Sequence, residues 1–181
     1  MRRQEVPTVI LATGRLTLRP VEAGDVEALH EHWGHPLVRR RLFDNEPVLP
    51  DLAVRLIDDS RRDFAERGYG LWALVPDSTV AGVCGLRGTS GGEVELLYSL
   101  SPDRWGEGLV TEAATAILEY AFGTLSLSRV VAEVDEGNTA SARVALRLGM
   151  TRDPASQDSP EPVHRFRLTA PAKPDHLRPV R

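Results

Sequence analysis

The chain has 181 residues, of which 41% are hydrophobic and 27% are charged, a composition typical of a folded globular domain. Its formal net charge of −4 argues against the broad electrostatic attraction by which general nucleic-acid binders work. No stretch approaches the roughly 20 apolar residues that a membrane span needs. The single cysteine, Cys84, fits a reducing cytoplasm. We therefore expect one domain over residues 1–170, followed at 171–181 by a flexible, proline-rich tail.

The first predicted elements are a short strand and a short helix. Leu16 and Leu18 alternate with polar residues, which predicts a half-buried strand that stops at Pro20. Asp25 is then well placed to cap a helix that runs to Trp33.

Two further helices and a hairpin are predicted next. The helices cover residues 36–43 and 50–66, and Gly68 ends the second of them. The apolar runs 69–76 and 79–88 are joined by the turn sequence Pro-Asp-Ser-Thr, which predicts two antiparallel strands.

The second half of the chain alternates strands with helices. Strands are predicted over 93–101, 128–135 and 163–168, and helices over 109–125 and 138–149. The core-facing stripe of the 109–125 helix consists of Val110, Ala113, Ala114, Ile117 and Ala121. This order of elements indicates a mixed α+β fold.

The stretch "DRWGEGLVTEA" carries the strongest functional signal. Gly106 and Gly108 lie where a strand gives way to a helix, so main-chain N–H groups without helical partners can approach an anion closely. Arg104 at the loop edge and Thr111 in the first turn can add donors. The pattern is neither GxxxxGK[ST] nor GxGxxG, which weakens a nucleotide interpretation. A simple capped helix start is the alternative.

A second strand-to-helix junction follows some 30 residues later. Asn138 occupies the cap position, and Ser141 lies one helical turn further on, roughly on the same side. The two junctions can therefore offer donors to one ligand, although ordinary capping also explains these residue types.

Four stretches of the chain together resemble one family. They are "GRLTLRPVEAGDVEAL", "GLWALV", "GVCGL" and "ELLYSLSPDRWGEGLVTEAATAILEYAFGTLSLSRVVAEVDEGNTASARVALRLGM". In this order, over residues 11–150, they resemble the GCN5-related N-acetyltransferases (GNAT), in the branch of the ribosomal-protein N-terminal acetyltransferases and their relatives. The resemblance implies helices around a twisted, mostly antiparallel sheet that is splayed where the cofactor binds. It also implies acetyl transfer from acetyl-CoA to a primary amine, either a protein N-terminus or a small molecule.

The resemblance also implies which residues bind acetyl-CoA. The loop from Trp105 to Val110 would cradle the pyrophosphate, the backbone between Leu97 and Leu100 would bind the acetyl carbonyl, and Asn138 would bind the pantetheine amides. The full predicted set is Leu97, Ser99, Leu100, Arg104, Trp105, Gly106, Glu107, Gly108, Leu109, Val110, Thr111, Asn138 and Ser141.

Acetyl transfer needs a neutral amine, donors for the oxyanion and a proton for the leaving thiolate. Glu93 and Glu95 lie two residues apart on one strand, so both project on one face and are candidates for the base. A solvated strand face is the alternative. Many members of the family use a tyrosine downstream of the last quoted stretch as the acid, but no tyrosine follows Met150 in this chain. Ser141, aided by Tyr98, is the candidate here.

Two other interpretations stay open. Without the late tyrosine, the chain could be a catalytically weak acyl-CoA-binding regulatory module, and a nucleotide-binding protein is a weaker third choice.

No metal is expected, because His30 and His32 diverge on a helix. Cys84, in an apolar strand, is expected to be a buried, inert thiol. A homodimer is compatible with the resemblance.

Overall fold

The computed structural model of the chain describes residues 9–154 and 163–171. In this part of the chain eight strands form one sheet. They are β1 (Leu11–Ala12), β2 (Thr17–Pro20), β3 (Leu71–Val75), β4 (Gly82–Gly88), β5 (Val94–Leu100), β6 (Arg129–Asp135), β7 (Thr151–Arg152) and β8 (Val163–Thr169). The helices are α1 (Val26–Gly34), α2 (Pro36–Leu42), α3 (Pro50–Arg67), α4 (Leu109–Gly123) and α5 (Thr139–Arg147). No helix within these ranges combines the length and apolar character needed to cross a bilayer.

The sheet opens between β5 and β6. The strand order is β1-β2-β3-β4-β5-β6-β8-β7, and every neighbouring pair is antiparallel except β5 and β6, which α4 joins as a crossover. β4 and β5 are paired along their whole length, from Gly82 opposite Leu100 to Gly88 opposite Val94. In contrast, β5 and β6 are paired at Glu95 and Val131, near the start of β5. Beyond this point the two strands diverge.

Helices cover both faces of the sheet and bury two apolar clusters. On one face, Leu109 and Ile117 of α4 are buried against Trp72 and other strand side chains. On the other face, Leu29 of α1 and Ile57 of α3 are buried against alternate residues of β3 and β4. Full burial of each such leucine or isoleucine stabilises the fold by about 1.5–3 kcal/mol, so the helices are held where their apolar stripes meet the sheet.

The mixed α+β fold is confirmed, and most predicted elements lie within two residues of their observed ends. Two strands of two residues each, β1 and β7, escaped prediction because they are too short to show an alternating pattern. The predicted loop at 156–162 and all of the predicted tail except its first residue lie outside the described residues.

The sequence predicts that Asp25 caps α1, but its side chain, although at the N-cap position, makes no capping hydrogen bond there. Its carboxylate instead accepts two hydrogen bonds from the guanidinium of Arg19, at 2.7 and 2.6 Å, and a third from the backbone N–H of Glu22. A bidentate, charge-assisted pair outcompetes a cap because two N–H groups of one rigid fork bind one buried carboxylate.

Candidate functional site

The loop between β5 and α4 is shaped by two glycines. After a 3-10 turn at Pro102–Arg104, Gly106 and Gly108 adopt positive φ angles of 84° and 80°, which only glycine adopts without strain. The indole N–H of Trp105 donates to the carbonyl of Leu100 at 2.7 Å and fixes the start of the loop. The loop therefore leads into α4 with its main chain exposed on one side.

The start of α4 presents several unpaired donors. The N–H of Glu112 is the first to find a helical acceptor, the carbonyl of Gly108 at 3.0 Å, so the N–H groups of residues 109–111 have no helical partner. The hydroxyl of Thr111 is buried and has no hydrogen-bond partner among the described residues. A Cβ added at Gly106 would meet no atom within 4 Å. Together with the helix dipole, these groups can bind an anion, and we refer to residues 105–110 as the cradle.

Arg104 is tied down at the edge of the loop. Its guanidinium donates to the carboxylate of Asp77 at 2.6 Å and lies 3.9 Å from that of Glu107. The cradle is consequently dominated by main-chain donors, and a contact from Arg104 to a ligand stays a prediction.

The open edge of β5 leads directly to this cradle. Leu97 and Ser99 project toward α1–α3, whereas Leu96, Tyr98 and Leu100 project toward α4. Because β6 has diverged here, the main chain on this edge is not part of a ladder with β6. Main-chain groups that lack a ladder partner are available to a ligand lying in the opening.

Tyr98, Asn138 and Ser141 come together across the opening. The side-chain oxygen of Asn138 caps α5 by accepting from the N–H of Ser141 at 3.2 Å, as the sequence predicted. The phenol of Tyr98 donates to the carbonyl of Ser141 at 3.2 Å and so connects β5 to α5. Burial raises the pKa of Tyr98 to about 12, so the phenol keeps its proton at neutral pH.

The two candidate carboxylates differ in their positions. Glu95 lies where β5 and β6 are still paired, is 7% exposed, and accepts a hydrogen bond from Arg87 of β4 at 2.6 Å. Glu93 precedes β5, on the closed side of this point, and is ion-paired with Arg129 at 2.8 Å and with Arg165. The two cationic neighbours hold Glu93 at the end of the sheet, farther from the opening than Glu95, and its role as a base stays a prediction.

The sequence interpretation missed one polar residue of this region, His32. It is 7% exposed on α1, and its Nε2 and Nδ1 atoms lie 2.9 Å from the hydroxyl of Ser99 and 3.3 Å from that of Ser101. Burial lowers the pKa of His32 to about 4, so the imidazole is neutral at pH 7. No local motif could have revealed a contact between residues 67 positions apart.

Three other side chains, those of His30, His35 and Cys84, have separate surroundings. His30 contacts the carbonyl of Val48 at 2.8 Å, and His35 accepts from the N–H of Leu37 at the start of α2. Cys84 is fully buried, and burial raises the pKa of its thiol, as expected for an inert cysteine.

Comparison with known proteins identifies the family of the chain. Residues 15–151 match the family model of the acetyltransferase (GNAT) domain. The N-acetyltransferase p20 of Bacillus licheniformis is 27% identical over 154 residues, which cover 82% of this chain and 85% of p20. The crystal structure of an acetyltransferase from Agrobacterium tumefaciens superimposes with a TM-score of 0.77 at 29% identity, over 93% of this chain and 98% of that one.

A more distant structure shares the fold alone. RimL, a ribosomal L7/L12 alpha-N-protein acetyltransferase in complex with coenzyme A, superimposes with a TM-score of 0.76 at 17% identity, over 89% of this chain and 98% of RimL. The family suggested by the sequence motifs is confirmed, and acetyl-CoA is the co-substrate that this family of acetyltransferases implies. The chain belongs to the GCN5-related N-acetyltransferase family and is an N-acetyltransferase.

Proposed function

We propose that this enzyme transfers the acetyl group of acetyl-CoA to a primary amine by direct attack while both substrates are bound. The observation that carries the proposal is the opening between β5 and β6, which ends at the donor-rich start of α4. A strand edge and a helix start together offer main-chain groups to one extended ligand. A thioester with a diphosphate at its far end suits such a surface, because its carbonyl and its phosphates both need donors.

The donor substrate is bound mainly by main chain. The cradle of residues 105–110 binds the diphosphate, and the Thr111 hydroxyl donates to a phosphate oxygen. The buried, unpartnered state of that hydroxyl supports this role. The edge of β5 between Leu97 and Leu100, including Ser99, binds the acetyl carbonyl. The side chain of Asn138, beside Ser141, binds the pantetheine amides.

Glu95 removes the proton of the attacking ammonium, directly or through a water molecule. An alkylammonium is mostly protonated at neutral pH, so a carboxylate is needed near the acceptor. Glu95 projects on the same face of β5 as Leu97, toward α1–α3, which supports an acceptor that enters from that face. The ion pair with Arg87 at 2.6 Å holds the carboxylate in one orientation.

Ser141, aided by the hydrogen-bonded phenol of Tyr98, supplies the one proton that the leaving thiolate needs. A phenol that remains protonated at neutral pH can donate, and the contact of Tyr98 with the Ser141 carbonyl holds it at the opening. No acetyl-enzyme intermediate forms on Cys84, because its thiol is fully buried and burial raises its pKa.

The alternative is an acyl-CoA-binding module with little turnover, for which the missing tyrosine after Met150 is the supporting observation.

The acceptor is a protein N-terminus or a small-molecule amine. The apolar and polar side chains that α1–α3 contribute to the face of Glu95 would determine which of the two is preferred.

The test is thiol release from acetyl-CoA with a panel of amines, comprising peptides with free N-termini and polyamines, with product mass as the readout. Acceptor-dependent release with intersecting initial-velocity lines would support the proposal. Tight binding of acetyl-CoA without acceptor-dependent release would favour the regulatory module, and parallel lines would contradict direct attack.

A further inference from the structure

Arg15, in the turn between β1 and β2, connects the beginning of the chain to the diphosphate cradle. Its guanidinium donates to the main-chain carbonyl of Glu107 at 2.9 Å and to the carboxylate of Glu112 at 2.7 and 2.6 Å. The N–H of Arg15 and the hydroxyl of Thr13 also donate to Glu112, at 2.9 and 2.6 Å. One turn of the chain thus binds both the loop and the first turn of α4.

The contact with the Glu107 carbonyl determines how one peptide unit of the cradle is oriented. In a planar trans peptide the C=O and the following N–H point in opposite directions, and no cis bond occurs in the described residues. Because the carbonyl of Glu107 points at Arg15, the N–H of Gly108 points away from Arg15, to the other side of the loop. That N–H donates to no acceptor within the ranges described, so it is available to an anion.

The contact with Glu112 removes an electrostatic obstacle. Glu112 lies in the first turn of α4, where its negative charge would repel a diphosphate bound at the same helix start. The hydrogen bond from Thr13, and then those from Arg15, lower the pKa of the Glu112 carboxyl, so the group is ionised at neutral pH. The guanidinium of Arg15 neutralises this charge within hydrogen-bond distance.

We propose that Arg15 is a positioning residue for the donor site, which raises affinity for the diphosphate of acetyl-CoA by orienting the Glu107–Gly108 peptide and by neutralising Glu112. This inference rests on the proposed function of the cradle. It requires no contact between Arg15 and the reacting atoms. Its effect is therefore confined to ligands that carry the diphosphate.

The experiment compares two acetyl donors, acetyl-CoA and acetyl-pantetheine, which lacks the diphosphate. We expect Arg15→Ala to raise the Kd of coenzyme A and the KM of acetyl-CoA about 10-fold, the effect of losing a charge-assisted hydrogen bond. The kcat at saturating acetyl-CoA, the KM of the amine, and kcat/KM with acetyl-pantetheine stay within about 2-fold of the wild-type values. Arg15→Lys keeps the charge but not the forked geometry, and restores part of the affinity.

Matched variants separate these effects from general destabilisation. Arg61→Ala removes an arginine from an exposed ion pair with Asp58 on α3 and leaves the Kd of coenzyme A unchanged. In the double variant Arg15→Ala/Glu112→Gln, the loss is smaller than the sum of the single losses, because no unneutralised carboxylate remains. Melting curves identify any variant that is not folded.

Three results would overturn the inference in distinguishable ways. Unchanged coenzyme A affinity in Arg15→Ala contradicts it while leaving the proposed function intact. Equal losses with acetyl-CoA and acetyl-pantetheine show that the turn supports the fold in general and not the cradle. If the wild-type protein does not bind coenzyme A, the proposed function fails first, and the role of Arg15 fails with it.

Discussion

The two sides of the opening between β5 and β6 are built in different ways. On the donor side, the start of α4 offers main-chain N–H groups that Gly106 and Gly108 expose. On the proposed acceptor side, the face toward α1–α3 is defined by side chains, chiefly Glu95 and His32, which come from elements far apart in the chain. The donor side is therefore sensitive to backbone conformation, whereas the acceptor side is sensitive to charge and protonation.

The largest expected effect comes from a β-branched residue in the cradle. Valine at Gly108 would have to adopt a φ of 80°, which is strongly unfavourable for such a residue, so the loop must rearrange. We expect Gly108→Val to raise the Kd of coenzyme A by about 100-fold or more, since the cradle loses its donor geometry. Calorimetric titration measures the change.

Gly24 provides the control for this prediction. An added Cβ there would meet no atom within 4 Å, and its φ is not in the left-handed region. Gly24→Ala should leave the affinity for coenzyme A unchanged. An unaltered Kd in Gly108→Val would contradict a donor side built from main chain.

The acceptor side is tested by Glu95→Gln. Loss of a general base lowers kcat/KM for the amine by about 10²-fold, whereas the Kd of coenzyme A stays the same. Glu93→Gln is the matched control, because Glu93 is ion-paired with Arg129 and Arg165 on the closed side of the sheet. If Glu93→Gln impairs turnover as strongly as Glu95→Gln, the assignment of the base is wrong.

The buried imidazole of His32 makes folding stability depend on pH. Its folded-state pKa of about 4 lies below the ordinary value of 6.5, so the unfolded chain binds the proton first as the pH falls. The stability that comes from keeping His32 neutral is present above pH 6.5 and is lost progressively down to about pH 4. Between pH 7 and pH 5 this titration lowers the free energy of unfolding by about 2 kcal/mol.

The His32→Asn variant removes this titration. Urea unfolding at pH 7 and pH 5 should show that the variant loses about 2 kcal/mol less than the wild type over that interval. Equal losses in both proteins would show that His32 is not buried in its neutral form.

The smallest expected effect concerns the leaving group. Tyr98→Phe removes the buried phenol that contacts the Ser141 carbonyl but keeps the ring, so kcat falls about 10-fold with little change in coenzyme A affinity. Ser141→Ala is the companion variant. If both variants retain the wild-type kcat, the thiolate receives its proton from another group.

The same difference between the two sides explains what the sequence could predict. The cradle is encoded by neighbouring residues, so Gly106, Gly108 and the start of α4 were visible as a local pattern. The contacts of Arg15 with Glu112 and of His32 with Ser99 join residues 97 and 67 positions apart, and no local pattern encodes them.

Other features could not be predicted from the sequence, for similar physical reasons. The alternation at Glu93 and Glu95 predicts one shared face, but it cannot show that β5 and β6 are paired at Glu95 and separate beyond it, toward the cradle. Several expectations remain predictions, among them a single domain over residues 1–170, a cytoplasmic location, a homodimer and the roles of the site residues.

The most direct test of a main-chain diphosphate cradle is amide NMR of the 15N-labelled enzyme titrated with coenzyme A and, separately, with pantetheine. We predict that coenzyme A shifts the amide signals of Gly108 and of residues 109–111 and slows their hydrogen exchange, and that pantetheine does neither at these positions. Coenzyme A binding that leaves these amides unperturbed, with shifts confined to other parts of the protein, would contradict the account.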